Sequence, residues 1–252
     1  MKQTSERLMP AFFILGLLVL WEGAVRIFGI PLYVLPSPVQ VAETLVQELP
    51  VLALHARVTV AEALAGVAIS LVLALALGVL MDCFPMIRQG LYPVLVVTQT
   101  VPMIVLAPIF IIYMGFGAAP KILTVVLMCF FPVAVSFSDG LSQVDAEYVH
   151  LVRSYGAGQW KTYCLVKIPA AVPALLSGLK VAATYSISGA VVGEWIGSQE
   201  GLGYYLLRVK NGYMLDKVFA CVVVIILLSL AMNGLIRVIA MVSMPYERNK
   251  RP

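Results

Sequence analysis

Charge is what this sequence has least of. Lys, Arg, Asp and Glu make up 12% of its 252 residues, about half the share usual in soluble domains. Without that polar surface a water-soluble globule cannot cover itself, and at 61% hydrophobic residues the chain is far too apolar to be disordered. Histidine is also scarce, with only His55 and His150. The four cysteines, Cys83, Cys129, Cys164 and Cys221, show neither a CxxC nor a Cys/His cluster, so no metal site and no disulfide is read from them. Cys129 and Cys221 fall in apolar runs, where a thiol behaves as a small hydrophobe. The phosphate-binding pattern GxxxxGK[ST] does not occur. Nor do the apolar runs hold paired aspartates, a Ser/His pair or HExxH, so an intramembrane enzyme has nothing to work with. The net charge of +4 is no nucleic-acid signature.

What the sequence has in quantity is long apolar runs. A spanning helix needs about 20 apolar residues, and the charge-poor gaps accommodate six, at about 9–30, 60–81, 90–113, 120–138, 174–198 and 218–240. The first holds only Glu22 and Arg26, which sit one helical turn apart and can pair. Its length, and the lack of a small-residue cleavage site, argue against a removable signal peptide. The expected fold is therefore an all-α integral membrane protein of one domain, residues 1–252. With the N-terminus inside, eleven Lys and Arg lie on the cytoplasmic side, among them Lys2, Arg7, Arg248, Lys250 and Arg251, and six lie outside. That matches the positive-inside bias and puts both termini in the cytoplasm. Lys180 breaks the apolar pattern of span five, and the simplest expectation places it near the inner end, reaching the interface with its stem.

Prolines and small polar residues interrupt the pattern. Ser37 and Pro38 suit the start of a short amphipathic helix running to about Leu49 on the membrane surface. Pro102 and Pro108 remove backbone donors within span three, beside Thr98, Gln99 and Thr100, and predict a bent helix lining a pore. Span five carries Tyr185, Ser186, Ser188 and Glu194, which with the three residues of span three form the candidate translocation path; tight helix packing is the competing use of such residues. Beyond it, a loop with Gly201, Gly203, Tyr204, Arg208, Lys210 and Lys217 faces outside. Its tyrosine and cations suit docking of an external protein.

The longest internal loop, 139–169, is more than a connection. Asp145 caps a helix whose apolar edge is Val149, Val152 and Tyr155, Gly156 stops it, and a second helical stretch from Gln159 ends at Pro169. Two helical pieces with an exposed apolar edge suggest a docking surface for a cytoplasmic partner.

This loop resembles the EAA loop of binding-protein-dependent ABC importer permeases. Gly156 matches the family's glycine, and Val166, Ile168 and Pro169 match its distal Ile-x-Leu-Pro element. The Glu-Ala-Ala positions hold His150, Leu151 and Val152, a departure from the family. The stretches 35–45, 55–70, 99–117 and 193–206 resemble the nitrate, sulfonate and taurine branch, with GAVVGEWIG closer to thiamine-precursor relatives. The resemblance covers nearly the whole chain. It implies the type I importer fold in a bacterial inner membrane, with Tyr148, Val149, His150, Leu151, Val152, Tyr155, Gly156 and Ala157 as a coupling helix. It also implies three kinds of partner: a second copy of the chain, two cytoplasmic ATPase subunits that use ATP and Mg, and an external solute-binding protein. The chain itself would then hold no cofactor and catalyse no reaction. A passive channel without an ATPase is the alternative. The implied substrate is a thiamine-precursor pyrimidine or a small anion of the sulfonate or nitrate kind.

Overall fold

The structure, a computed structural model, describes residues 2–243, with their side chains from Met9 onward except Ala11. The cations counted at the two ends, Lys2, Arg7, Arg248, Lys250 and Arg251, lie outside the described side chains. Ten α-helices are described: α1 (Lys2–Ile27), α2 (Pro38–Cys83), α3 (Pro85–Thr98), α4 (Met103–Met114), α5 (Ala118–Ser142), α6 (Ala146–Ser154), α7 (Gln159–Thr162), α8 (Ile168–Glu194), α9 (Leu202–Asn211) and α10 (Leu215–Ser243). A π-helical turn, Tyr163–Lys167, joins α7 to α8 without a break.

Among the described residues, α2, α5, the run from α7 through α8, and α10 are each long and apolar enough to cross a membrane. The pair α3 and α4 adds a fifth span if counted as one. The first apolar run is helical within α1, with Phe12, Phe13, Leu17 and Leu20 exposed as lipid-facing side chains would be. Arg26 pairs with Glu22 at 2.5 Å, as the spacing predicts.

Three elements differ from the sequence expectation. The stretch 38–49 is not a separate surface helix, because α2 continues through Pro50 to Cys83. Ser37 and Pro38 do start it, and Ser37 and Gln40 exchange capping-box hydrogen bonds. Pro50 forfeits one hydrogen bond, but buried Leu52 lies just beyond it. Thr44 donates to Asp216 (3.1 Å), and Glu48 accepts from Lys217 (2.6 Å), which ties the early turns to α10. Span three is broken rather than bent: α3 and α4 meet at 103°. Tight bonds from Thr100 to Val97 and from Val101 to Thr98 end α3, and Pro102, extended and without a donor, prevents it from resuming. Pro108 lies inside α4 without interrupting it. Finally, α8 begins at Ile168, ahead of Pro173, and ends at Glu194. Lys180 lies at the middle of α8 and is exposed.

The core is α5 packed between α2 and α8. Close approach there depends on missing side chains. A Cβ on Gly178 would lie 2.6 Å from the Pro132 carbonyl oxygen, and one on Gly66 2.4 Å from Val125. Val125, Cys129, Val133, Ala182, Ala183 and Ile187 fill the seam and are fully buried.

Candidate functional site

Three places on this scaffold carry side chains with a possible function: the bundle end that holds α6, the opposite end, and the break between α3 and α4.

At the first end, α6 stands clear of the bundle. Asp145 caps it by accepting from the Glu147 N–H (2.9 Å). Gly156, at φ +82°, ends it: its N–H donates to Arg153 O, and the Ala157 N–H reaches back to Val152 O. That pair of bonds is a Schellman motif, which needs a left-handed residue and so favours glycine. No residue of α6 is buried. Tyr148, His150, Leu151 and Tyr155 are exposed, Val149, Val152 and Ala157 half-buried. Trp160 adds another exposed ring. The loop thus leaves apolar and aromatic side chains bare at this end.

The loop rejoins the bundle through an anchor that sequence reading missed. Asp82, at the end of α2, accepts from the Tyr163 hydroxyl and from Lys167 Nζ (2.6 Å). Lys167 also lies over the Tyr163 ring. Nearby, Arg88 and Tyr92 of α3 reach Asp139 at the end of α5.

At the opposite end polar groups are buried. Lys121 of α5 pairs with Glu62 of α2 at 3.2 Å, both side chains at most 10% exposed. Glu194 is 1% exposed. It accepts from the Thr59 hydroxyl (2.6 Å) and the Gly203 N–H (2.5 Å). Thr59 in turn accepts from the Leu202 N–H, and His55 Nδ1 from the Gly201 N–H (3.2 Å). Gly201, at φ +102°, lets the chain fold over the carboxylate, where a Cβ would meet it at 2.2 Å. The glycines expected on a docking surface are therefore buried around Glu194. Tyr204 is half-buried beside His55, while Arg208 and Lys210 project from α9, exposed and without an ion pair among the described residues. Lys217 is not free for a partner, because Glu48 holds it.

Of the candidate path residues, the structure brings Gln99 and Tyr185 together on one cavity of about 380 Å³ at the helix break. Thr98 and Thr100 bond to carbonyls of their own turns, Ser188 is exposed elsewhere, and Ser186 is buried and donates to Ala183 O. Glu194 lies in the buried cluster, not on this cavity. A signal for that cluster did exist. Glu62 and Lys121 each stand at the edge of an apolar run, at ends that a six-span topology brings to one side. Which of them meet depends on packing that spacing does not reveal.

Residues 66–241 match the family of binding-protein-dependent transport system inner membrane components. The chain belongs to that family. It is 34% identical to the formylaminopyrimidine transport permease protein ThiX of Halalkalibacterium halodurans, over 99% of this chain and all of the relative. It is 30% identical to the taurine transport system permease protein TauC of Escherichia coli, over 60% of this chain and 55% of that one. Among solved structures, the inward-facing MetNI methionine ABC transporter aligns with a TM-score of 0.59 at 18% identity, covering 75% of this chain and 97% of that chain. At that identity the likeness concerns the fold alone. The chain is thus a multi-pass permease component of an ABC importer.

Proposed function

We propose that the chain is a single permease domain of six spans, α1 supplying the first, and that two copies enclose the path of an ATP-driven importer. Both termini are cytoplasmic, and α6 is the coupling helix on which a cytoplasmic ATPase subunit docks, one per copy. The observation that carries this reading is α6 itself, a capped helix with no buried residue and an exposed row of Tyr148, Leu151 and Tyr155. ATP and Mg are used by the ATPase, since the chain has no phosphate-binding loop. An external binding protein delivers the solute at the end that carries Arg208 and Lys210, and ATP-driven closure shifts the pair of permeases between inward and outward states.

Lys180 supports the second copy. A lysine half-way along α8 would cost at least a few kcal/mol facing lipid, so its exposed face belongs against protein or water. The substrate is a small polar solute, an aminopyrimidine or a sulfonate, as the names of the two relatives suggest. Mass measurement of the detergent-solubilised complex should give two copies of this chain with two ATPase chains, and the reconstituted complex should take up solute only with ATP and binding protein. Uptake by the permease alone would replace this reading with a passive channel.

A further inference from the structure

The cavity at the helix break has a chemistry of its own. It sits where α3 ends and α4 begins, against α5 and α8. Its volume of about 380 Å³ falls within the range of small-molecule sites. Its walls are apolar and deformable: Met103, Met128, Phe131 and Val181 contribute, and no charged side chain among the described residues lines it. Two residues with polar side chains line it, Gln99 at the end of α3 and Tyr185 of α8. Neither makes a side-chain hydrogen bond among the described residues. A third polar group is in the backbone. Pro132, itself a lining residue, has no N–H, so the carbonyl of Met128, another lining residue, lacks its usual helical donor four residues on.

Set against these groups, the solute classes separate. An amide offers donors and an acceptor in one plane, and a phenol offers both. Together they match a flat, uncharged ring bearing amino or amide groups. The thioethers and aromatic rings around them suit its faces. A sulfonate or nitrate would give up its hydration here without a cation to replace it, which is costly. Lys180, next in sequence to Val181, does not change this. It lies on the neighbouring stripe of α8 with Thr184, whose hydroxyl donates to Asn233 of α10 (3.3 Å).

We propose that this cavity is a station on the transport path that takes neutral, amine- or amide-bearing nitrogen heterocycles and turns away small anions, with Gln99 and Tyr185 as its specificity-determining residues. The inference rests on the importer reading above and selects between its two substrate classes.

The test uses the whole complex, with its ATPase and binding protein, in proteoliposomes, and two labelled probes: formylaminopyrimidine and taurine. The complex should accumulate the first and not the second. The double variant Gln99→Leu/Tyr185→Phe should lower formylaminopyrimidine uptake about tenfold, the scale of two lost hydrogen bonds. Co-purification of the variant permease with its ATPase at the parent's level, and an unchanged unfolding midpoint in detergent, show that the variant complex is folded and assembled. A single Tyr185→Phe should give an intermediate loss. Unchanged uptake by the double variant, or taurine uptake equal to that of the heterocycle, would overturn the inference and leave the importer reading standing. Loss of ATP dependence in the unaltered complex would overturn the importer reading itself.

Discussion

The two ends of the bundle treat polarity in opposite ways. At the α9 end, Glu62, Lys121, Thr59 and Glu194 are buried and bonded to one another or to the Leu202–Gly203 backbone. At the α6 end, the loop leaves Tyr148, Leu151 and Tyr155 bare and buries no residue of its helix. Buried polar groups that are bonded to one another hold helices in register, although Glu62 Oε2 keeps no hydrogen-bond partner among the described residues. An exposed apolar row is the kind of surface that a protein or a membrane covers. A residue's chemical type is therefore a poor guide to its placement: here charges are buried at one end while hydrophobes stand exposed at the other.

The comparison breaks most severely at Lys121. Lys121→Met leaves Glu62 buried without its partner, which should cost about 3–5 kcal/mol. Thermal unfolding in detergent reads this loss, and adding Glu62→Leu should return much of it. If Lys121→Met alone were as stable as the parent, the α9 end would not be a structural lock.

At the other end stability and partnership should separate. Tyr148→Ala with Leu151→Ala removes exposed side chains, so unfolding should shift by no more than about 0.5 kcal/mol. ATPase association should weaken roughly tenfold to a hundredfold, the scale of one or two interface anchors. Co-purification measured by titration checks both halves.

Gly156 sharpens the picture on a smaller scale. No heavy atom lies within 4 Å of a Cβ there, so only the positive φ resists a side chain. Gly156→Ala should cost about 1 kcal/mol, read as fraying of the α6 terminus by hydrogen exchange. Gly156→Leu should also obstruct the docked ATPase while membrane insertion stays intact.

The smallest effect is expected at Arg208 and Lys210, the exposed cations of α9. Neutralising both should slow binding-protein-dependent transport a few-fold at low ionic strength and leave it unchanged at high salt, since such charges act on association rate and are screened. A slowing that survives high salt would assign them a role other than steering.

Much of this was legible in the sequence where a rule acts locally. The Ser37–Pro38 start, the Asp145 cap, the Gly156 stop and the Glu22–Arg26 pair each involve residues within one or two turns. The continuation of α2 through Pro50 was not legible, because contacts from α10, over 160 positions away, stabilise its early turns. The break at Gln99–Pro102 was signalled by its prolines, but its sharpness was not. The Tyr163 and Lys167 anchor to Asp82, and the glycine cover over Glu194, depend on three-dimensional packing across more than one helix. For the same reason the path residues divided: Gln99 and Tyr185 reach one cavity, while Glu194 is buried far from it along α8.

Site-directed cross-linking of the assembled complex tests the central claim most directly, by comparing the two ends in one experiment. Cys164 is exposed and Cys83 half-buried, so Cys83→Ser with Cys164→Ser provides the background. Leu151→Cys on α6 and Arg208→Cys on α9 each place one reactive thiol. The account predicts that a short bifunctional reagent joins the Leu151→Cys chain to the ATPase subunit and the Arg208→Cys chain to the binding protein. An ATPase cross-link from Arg208→Cys, or none from Leu151→Cys in a complex that hydrolyses ATP, would contradict it.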